Sequence, residues 1–315
     1  MPERRLLDPT AVARLANLQL KAAAIVEGFL TGLHQSPYHG FSVEFSQHRQ
    51  YMPGDALRHL DYKVLAKTGR YYIKQYEEET NLKAYLLVDH SGSMGFSGLE
   101  TNYKPRAKKG KDREIQPTGV SKLDYAASLT AALSLLLLKQ RDAVGLVTFA
   151  QKVTGIMPPH SAMGWLEPLT VKLQGLQPEG ETMVASALFD IAERVHRRGL
   201  VVVLSDLFDE PDRTLAGLRA LRHIGHDVIV FQILDPLEIS FAFPRDARFQ
   251  DLETRDILPS RPWHIRDSYQ AMMREFLDHY RLRCRENNID YHLFTTDTPY
   301  ATALFEFLDR RRRLI

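Results

Sequence analysis

Cysteine is nearly absent from this sequence of 315 residues, and long apolar runs are absent too. The single cysteine, Cys284, cannot form an internal disulfide, which fits a protein of a reducing compartment. No apolar run reaches the roughly 18 to 20 residues of a membrane span. The amino terminus carries charged residues before any apolar stretch, unlike a secretory signal. We therefore expect a cytoplasmic protein without a membrane role.

Charge of one sign is not in excess either. The 41 basic and 39 acidic residues give a net charge of +2, so the composition offers no broad surface for nucleic acid. The sequence also lacks a phosphate-binding loop of the G-x-x-x-x-G-K-S/T type, which argues against nucleotide hydrolysis by this chain. The hydrophobic content of 44% is ordinary and is enough for one large core in a chain of this length.

After residue 80, apolar strand patterns alternate with helical patterns. The strand candidates are almost continuously apolar and cover 82–88, 143–149, 200–204, 227–234 and 290–295. Helical spacing of apolar residues recurs at about 122–140, 183–197, 212–223, 267–287 and 299–311. Strands that are apolar on both faces and separated by helices predict an α/β fold with a doubly wound, mainly parallel, Rossmann-like central sheet.

The first 80 residues have a different pattern. Asp8 and Pro9 suit the first turn of a helix that continues to about residue 30. Residues 37–80 are dense in aromatic and basic side chains, and their alternation at 41–45 and 71–76 predicts two strands around a short helix at about 57–65.

This change of pattern predicts two domains. Residues 1–80 form an N-terminal helix with a small α+β extension, and residues 81–315 form the α/β domain. Two insertions interrupt the α/β domain, a basic one at about 96–121 and an alternating one at about 238–253, for which we predict a hairpin.

The most informative stretch is the strand end at Asp89, which Ser91 and Ser93 follow at alternate positions. Asp206 ends a second apolar strand, and Thr182 is expected to open a helix between the two. Ligands of an open parallel sheet bind beyond the carboxyl ends of its strands. Mg²⁺ prefers oxygen ligands and keeps several of its waters. These residues therefore predict a site for one divalent cation, Mg²⁺ or Mn²⁺.

The same five residues resemble the metal-ion-dependent adhesion site of von Willebrand factor type A domains. That site consists of D-x-S-x-S, a later threonine and an aspartate after a later strand, matched here by Asp89, Ser91, Ser93, Thr182 and Asp206. The resemblance implies that these residues hold the cation, some of them through water. It also implies that an acidic side chain of a partner protein fills an open coordination position.

Further segments resemble the bacterial family called domain of unknown function fifty-eight. They are 48–55, 58–63 and 72–80, followed by 235–238 and 249–253. Members of that family are typically encoded beside MoxR-type AAA+ ATPases and are implicated in helping them to mature or remodel other proteins. The resemblance implies a metal-dependent protein-interaction module, not an enzyme, with a MoxR-type ATPase as its partner.

Two other functions stay open at this point. Asp89 and Asp206 with Mg²⁺ could assist phosphoryl or phosphodiester hydrolysis, although the sequence shows no evident base or nucleophile. The basic stretches 104–113 and 310–313 could bind nucleic acid, although short charge runs are usually solvated.

Several of these residues also have plainer interpretations. Ser91 and Ser93 could serve only as turn residues. Asp235 and Glu238 either widen an acidic surface near Asp206 or cap the turn at Pro236. Cys284 falls on an amphipathic helix and is expected only to pack.

Overall fold

A computed structural model describes residues 8–34, 48–50, 69, 71–74, 82–98, 119–195, 197–243, 247–250, 252, 257–260 and 262–314. The chain divides into two units, Leu33–Asn81 and a larger one made of Met1–Gly32 with Leu82–Ile315. In the smaller unit, strand β1 (His48–Gln50) pairs antiparallel with β2 (Tyr72–Lys74). The strand expected at 41–45 and the helix expected at 57–65 lie outside the described residues.

The other described residues form a series of helices and strands. In chain order they are α1 (Pro9–Ala13), α2 (Leu18–His34), β3 (Lys83–Asp89), α3 (Lys122–Lys139), β4 (Ala143–Phe149), β5 (Val153–His160), α4 (Leu166–Gln174), α5 (Val184–Arg194), β6 (Leu200–Ser205), α6 (Pro211–His223), β7 (Asp227–Leu234), α7 (Pro236–Ser240), β8 (Ala247–Gln250), β9 (Ile257–Ser260), α8 (Pro262–Glu286), β10 (Asp290–Thr295) and α9 (Tyr300–Leu314). Short 3₁₀ helices occupy Gly92–Gly95 and Met163–Trp165. The five strands predicted from apolar runs are β3, β4, β6, β7 and β10.

Six of these strands form one sheet in the order β10-β7-β6-β3-β4-β5. All neighbouring pairs are parallel except β4 and β5, which are antiparallel. The chain proceeds outward from β3 in one direction and from β6 in the other, so the strand order reverses between these two central strands. This is the doubly wound topology that the sequence predicted. Sheets of this kind bind ligands where the strand order reverses, which here is at the carboxyl ends of β3 and β6.

Helices cover both faces of the sheet. On one face α5, α6 and α8 contribute Leu188, Leu218 and Tyr280 to a core that also contains Tyr85 and Leu87 of β3. Because successive residues of a strand point to opposite faces, the intervening residues of β3 point to the other face. Helix α3 packs against β3 and β4.

Helix α3 is buried along almost its whole length. All of its residues except Asp124 and Lys139 are buried. Neither α3 nor any other helix in the part of the chain that is described is long and apolar enough to cross a bilayer.

The N-terminal helix begins as predicted but is divided in two. The Asp8 side chain accepts hydrogen bonds from the backbone N–H groups of Thr10 and Ala11, which caps α1. The chain then leaves the helix, and the side chain of Asn17 accepts a bond from the N–H of Leu20 at 2.8 Å to start α2. Asparagine is a favoured N-cap, so this second start was visible in the sequence. Both helices begin in the larger unit.

The edge strand β5 and helix α4 were not predicted. Residues of β5 alternate between partly buried and exposed along its length, as expected for an edge strand. It contains Pro158 and Pro159, which cannot donate to a ladder and are tolerated mainly at sheet edges. The strand therefore lacks the continuous apolar run from which the other strands of the sheet were predicted.

The second insertion differs from its prediction. A hairpin is present, but it is formed by β8 and β9, whose residues pair from Ala247 opposite Ser260 to Gln250 opposite Ile257. The expected start of the hairpin belongs instead to α7, because a capping box begins a helix there. Of the first insertion, 99–118 lie outside the described residues. The residues that flank them are joined, since the N–H of Lys122 donates to the carbonyl of Phe96 at 3.2 Å.

Replacing Gly199 by alanine is expected to destabilise the sheet where β6 meets β3. A Cβ atom at Gly199 would lie 2.2 Å from the backbone oxygen of Lys83, so the backbone has to move. We expect the free energy of unfolding, measured by urea denaturation, to fall by about 1–3 kcal/mol. Gly164 has no atom within 4 Å of such a Cβ, and Gly164→Ala is the control. Equal stability of the two variants would contradict this packing.

Candidate metal-binding site

The predicted site residues come together at the edge of the sheet where the strand order reverses. Asp89 is the last residue of β3, and Asp206 directly follows β6, so the two aspartates end neighbouring parallel strands. Ser91 directly precedes the 3₁₀ helix after β3, and Ser93 lies within it. The continuous apolar runs of β3 and β6 fix these positions, because strands buried on both faces meet polar surroundings only where they end.

The hydroxyl group of Ser93 is at the centre of the cluster. It lies 3.2 Å from the hydroxyl oxygen of Ser91 and 3.1 Å from that of Thr182. It donates a hydrogen bond to Oδ2 of Asp206 at 2.7 Å. Asp89 joins through its Oδ1 atom, which accepts from the N–H of Ser91 at 2.9 Å. The five residues thus form one connected set from three separate segments, so the two serines do more than shape their own turn.

Thr182 lies in the loop before α5, two residues ahead of the first helical residue, and not at the helix start that the sequence predicted. Two backbone hydrogen bonds tie this loop to the turn after β3. The N–H of Gly92 donates to the carbonyl of Gly180 at 3.0 Å, and the N–H of Glu179 donates to the carbonyl of His90 at 3.0 Å. The loop therefore holds Thr182 against the serines by main-chain contacts.

His90 gives this loop a third attachment. Its Nδ1 atom lies 3.0 Å from the carbonyl oxygen of Gln177, and its Nε2 atom lies 2.8 Å from the hydroxyl of Thr154. A carbonyl can only accept, so Nδ1 donates to Gln177. Both ring nitrogens are thus occupied in holding β5 and the loop. His90 is consequently not placed to act as a general base.

One side of the cluster is closed and the other is open. Asp89, Ser91 and Asp206 are fully buried, with no exposed surface. Ser93 and Thr182 are partly exposed. An incoming group can therefore reach the cluster past the two hydroxyl groups, while the carboxylates stay shielded from bulk water.

The buried carboxyl group of Asp89 is hard to ionise. Burial and the nearby charge of Asp206 raise the pKa of Asp89 to about 7. Hydrogen bonds from Ser205 and Ser91 oppose this shift, and the Ser205 hydroxyl donates to Oδ2 of Asp89 at 2.5 Å. A positive charge placed between the two aspartates would relieve the repulsion that contributes to the shift.

A buried lysine, which the sequence analysis missed, is part of the cluster. Lys122, the first residue of α3, has no exposed surface, and its Nζ atom lies 2.7 Å from Oδ2 of Asp206 and 2.6 Å from Oε1 of Glu238. The same atom lies 4.7 Å from the centre of the Phe208 ring. Burial alone would lower the pKa of Lys122, but the carboxylates of Asp206 and Glu238 outweigh it and raise that pKa.

The sequence did contain a signal for Lys122. The positive end of a helix dipole is at the N-terminus, where a cation is unfavourable. A lysine at the first position of a strongly apolar helix therefore requires anions nearby. The residues that supply them, Asp206 and Glu238, are 84 and 116 positions away in sequence, which no local pattern could indicate.

Asp235 and Glu238 cap helix α7 and do not form an acidic surface. The Asp235 side chain accepts from the N–H of Leu237 at 2.8 Å, and the Glu238 side chain accepts from the N–H of Asp235 at 2.7 Å. Asp235 is buried, and burial raises its pKa. Burial also raises the pKa of Glu238 to about 7, although Lys122 opposes that shift. The capping interpretation is therefore the one that the geometry supports.

The donor atoms suit a hard cation. The five predicted residues offer two carboxylates and three hydroxyl groups, and Mg²⁺ and Mn²⁺ prefer such oxygen ligands. In the described ranges, no group of three or more histidine, cysteine, aspartate or glutamate side chains is arranged to hold a metal ion. The donor set consequently fits an ion that retains several of its waters and does not fit a site enclosed by side chains, as structural zinc requires.

The other residues noted in the sequence have structural roles where they are described. Arg310 and Arg311 of the C-terminal basic run form ion pairs with Asp290 and Asp142, so they are not free to bind phosphates. Cys284 is buried in the core, and burial raises its pKa to about 12, as expected for a packed thiol. The basic stretch 104–113 lies outside the described residues.

Comparison with known proteins gives a family for the chain. The model of the family described as "Protein of unknown function DUF58" matches residues 47–109 and 111–277. The chain is 26% identical over 254 residues to an uncharacterized protein of Mycobacterium bovis, Mb1516, and that match covers 78% of this chain and 72% of the relative.

Solved structures with a similar arrangement include BatB from Bacteroides thetaiotaomicron, with a TM-score of 0.42 and 16% identity over 74% of this chain and 99% of that one. The SpRpn10 VWA domain gives a TM-score of 0.38 and 9% identity over 71% of this chain and 93% of that one. The family assignment depends on the family model, which matches well over half of the chain. This protein therefore belongs to the DUF58 family.

Proposed function

We propose that this protein is a metal-dependent protein-interaction module. Asp89, Ser91, Ser93, Thr182 and Asp206 hold one Mg²⁺ or Mn²⁺ ion, which contacts an acidic side chain of a partner protein. The observation that supports this proposal is the meeting of oxygen atoms from Ser91, Thr182 and Asp206 around the Ser93 hydroxyl, at distances of 2.7 to 3.2 Å. Asp89 joins them through its bond with the N–H of Ser91.

The charges of these side chains explain why the contact would be selective. Three of the five donors are neutral hydroxyl groups, so a bound divalent cation keeps part of its positive charge toward the open side. A carboxylate that arrives there gains a charge-assisted contact. Mg²⁺ gives up its waters reluctantly, so the contact is expected to be reversible.

The partner that we propose is a MoxR-type AAA+ ATPase, and the proposed place of their encounter is the cytoplasm. Membership of the DUF58 family supports this choice. The chain carries no phosphate-binding loop, so an ATPase partner would supply the energy for remodelling other proteins. The protein itself is then a binding component and not an enzyme.

Replacing Asp89 by asparagine is expected to abolish Mg²⁺-dependent capture of the partner. Asparagine keeps the shape of the side chain but cannot supply the negative charge that a divalent cation requires. The measurement is retention of a purified MoxR-type ATPase on the immobilised protein, in Mg²⁺ and in EDTA, with circular dichroism to check the fold.

The matched control for this experiment is Asp190→Asn. Asp190 is an aspartate of α5 whose partner is Arg194 on the same helix, away from the cluster. The control should capture the ATPase as the wild type does. Capture that persists at full strength in EDTA would show that the metal is not the bridge.

The affinity for Mg²⁺ is expected to rise with pH. The pKa of Asp89 is raised from 3.8 to about 7, and a metal binds the carboxylate only after the proton has left. Below the raised pKa, each pH unit should weaken binding by up to about tenfold. Isothermal titration calorimetry at about pH 5.5 and about pH 8 measures this difference.

The same raised pKa predicts the opposite trend for stability without Mg²⁺. The folded protein holds the Asp89 proton more tightly than the unfolded chain does. The free energy of unfolding should therefore fall as pH rises from 3.8 to about 7. Asp89→Asn should remove this pH dependence of stability and also that of Mg²⁺ affinity.

Equal Mg²⁺ affinity of the wild type at about pH 5.5 and about pH 8 would contradict the assignment of Asp89 as a ligand.

A further inference from the structure

We propose that Lys122 is a built-in counter-cation of this site, which competes with the divalent cation for Asp206 and keeps only its contact with Glu238 when the cation binds. This inference rests on the proposed function and deepens it. It assigns to Lys122 the role of setting how tightly the site holds its ion, so that binding of the ion and of the partner stays reversible.

The contacts of Asp206 show why the two cations must compete. Oδ2 of Asp206 receives two donors, the Lys122 ammonium and the Ser93 hydroxyl, each at 2.7 Å. Oδ1 accepts from the N–H of Phe208 at 3.1 Å. Oδ2, the oxygen next to Ser93, therefore has both of its acceptor positions filled. A divalent cation that binds beside Ser93 through Asp206 shares the Oδ2 atom with Lys122 or displaces it.

The surroundings of Lys122 determine where its ammonium can go. The side chain has no exposed surface, so it has no route to bulk water. Glu238 lies on its other side, with Oε1 at 2.6 Å from Nζ. The other oxygen of Glu238 is held by the N–H of Asp235, which fixes the carboxylate in place. The Phe208 ring, 4.7 Å from Nζ, provides a further favourable contact for a cation.

Charge explains the effect of Lys122 on the ion. A univalent and a divalent cation that approach the same carboxylate repel each other, and the burial of Lys122 and Asp206 limits the screening of that repulsion. Lys122 therefore lowers the affinity of the site for Mg²⁺. It also stabilises the protein without the ion, because Asp206 would otherwise be buried without a positive partner.

The test compares the Mg²⁺ affinity of the wild type with those of Lys122→Met, Glu238→Gln and a control variant, by isothermal titration calorimetry at one pH. Lys122→Met removes the charge and keeps a long, unbranched side chain. It should bind Mg²⁺ at least about tenfold more tightly than the wild type, while its melting temperature without Mg²⁺ falls. Lys139→Met, at the exposed last position of the same helix, is the control and should match the wild type.

A second variant distinguishes competition from a merely structural role. Glu238→Gln removes the negative charge that receives Lys122, while glutamine can still accept the capping bond. Lys122 should then stay on Asp206, so Mg²⁺ binding should weaken by about tenfold. If Lys122 and Glu238 had structural roles alone, Lys122→Met and Glu238→Gln would both be less stable than the wild type. Their Mg²⁺ affinities would not then change in opposite directions.

The outcomes separate this inference from the proposed function. If the wild type binds Mg²⁺ and Lys122→Met binds it equally or less tightly, the counter-cation role is overturned and the metal site remains. If Lys122→Met binds Mg²⁺ and the wild type does not, the competition between the two cations is supported. If neither protein binds Mg²⁺, both the metal site and the role of Lys122 are overturned.

Discussion

Two aspartates are buried next to each other at the ends of the central strands, and the need to compensate their charge governs the structure around them. Asp89 is stabilised mainly by hydroxyl and N–H donors, whereas Asp206 has the ammonium of Lys122. The cost of burying an unpaired charge is several kcal/mol or more. The neighbouring loops and helix starts are consequently arranged to supply donors, and the same arrangement leaves oxygen atoms facing one partly open side.

The sheet and the positions of both aspartates could be predicted because they follow from local pattern. A continuous apolar run requires a strand buried on both faces, and its first acidic residue marks the end of that strand. For Asp89 and Asp206 this reasoning placed each residue within one position of the observed strand end. The doubly wound order then brings the two ends together without any further information from the sequence.

Other features depend on contacts that no local pattern records. The pairing of Lys122 with Glu238 spans 116 residues and requires knowledge of which side chains are buried together. Strand β5 contains prolines that interrupt its apolar pattern, and among the strands that the structure describes it pairs with β4 alone. Thr182 was selected for its residue type, but the loop that holds it is positioned by backbone bonds to residues after β3, which the sequence could not reveal.

The hydrogen bond from the N–H of Lys122 to the carbonyl of Phe96 fixes the two flanks of the first insertion next to each other. The side chain of Asp235 also accepts a bond from the N–H of Gly98, at the start of that insertion. A segment whose ends are already joined can change length cheaply, since doubling a flexible loop costs only about 0.6 kcal/mol in closure entropy. Peptides of different length can therefore be grafted at this position while the edge that carries Asp89 and Asp206 keeps its shape.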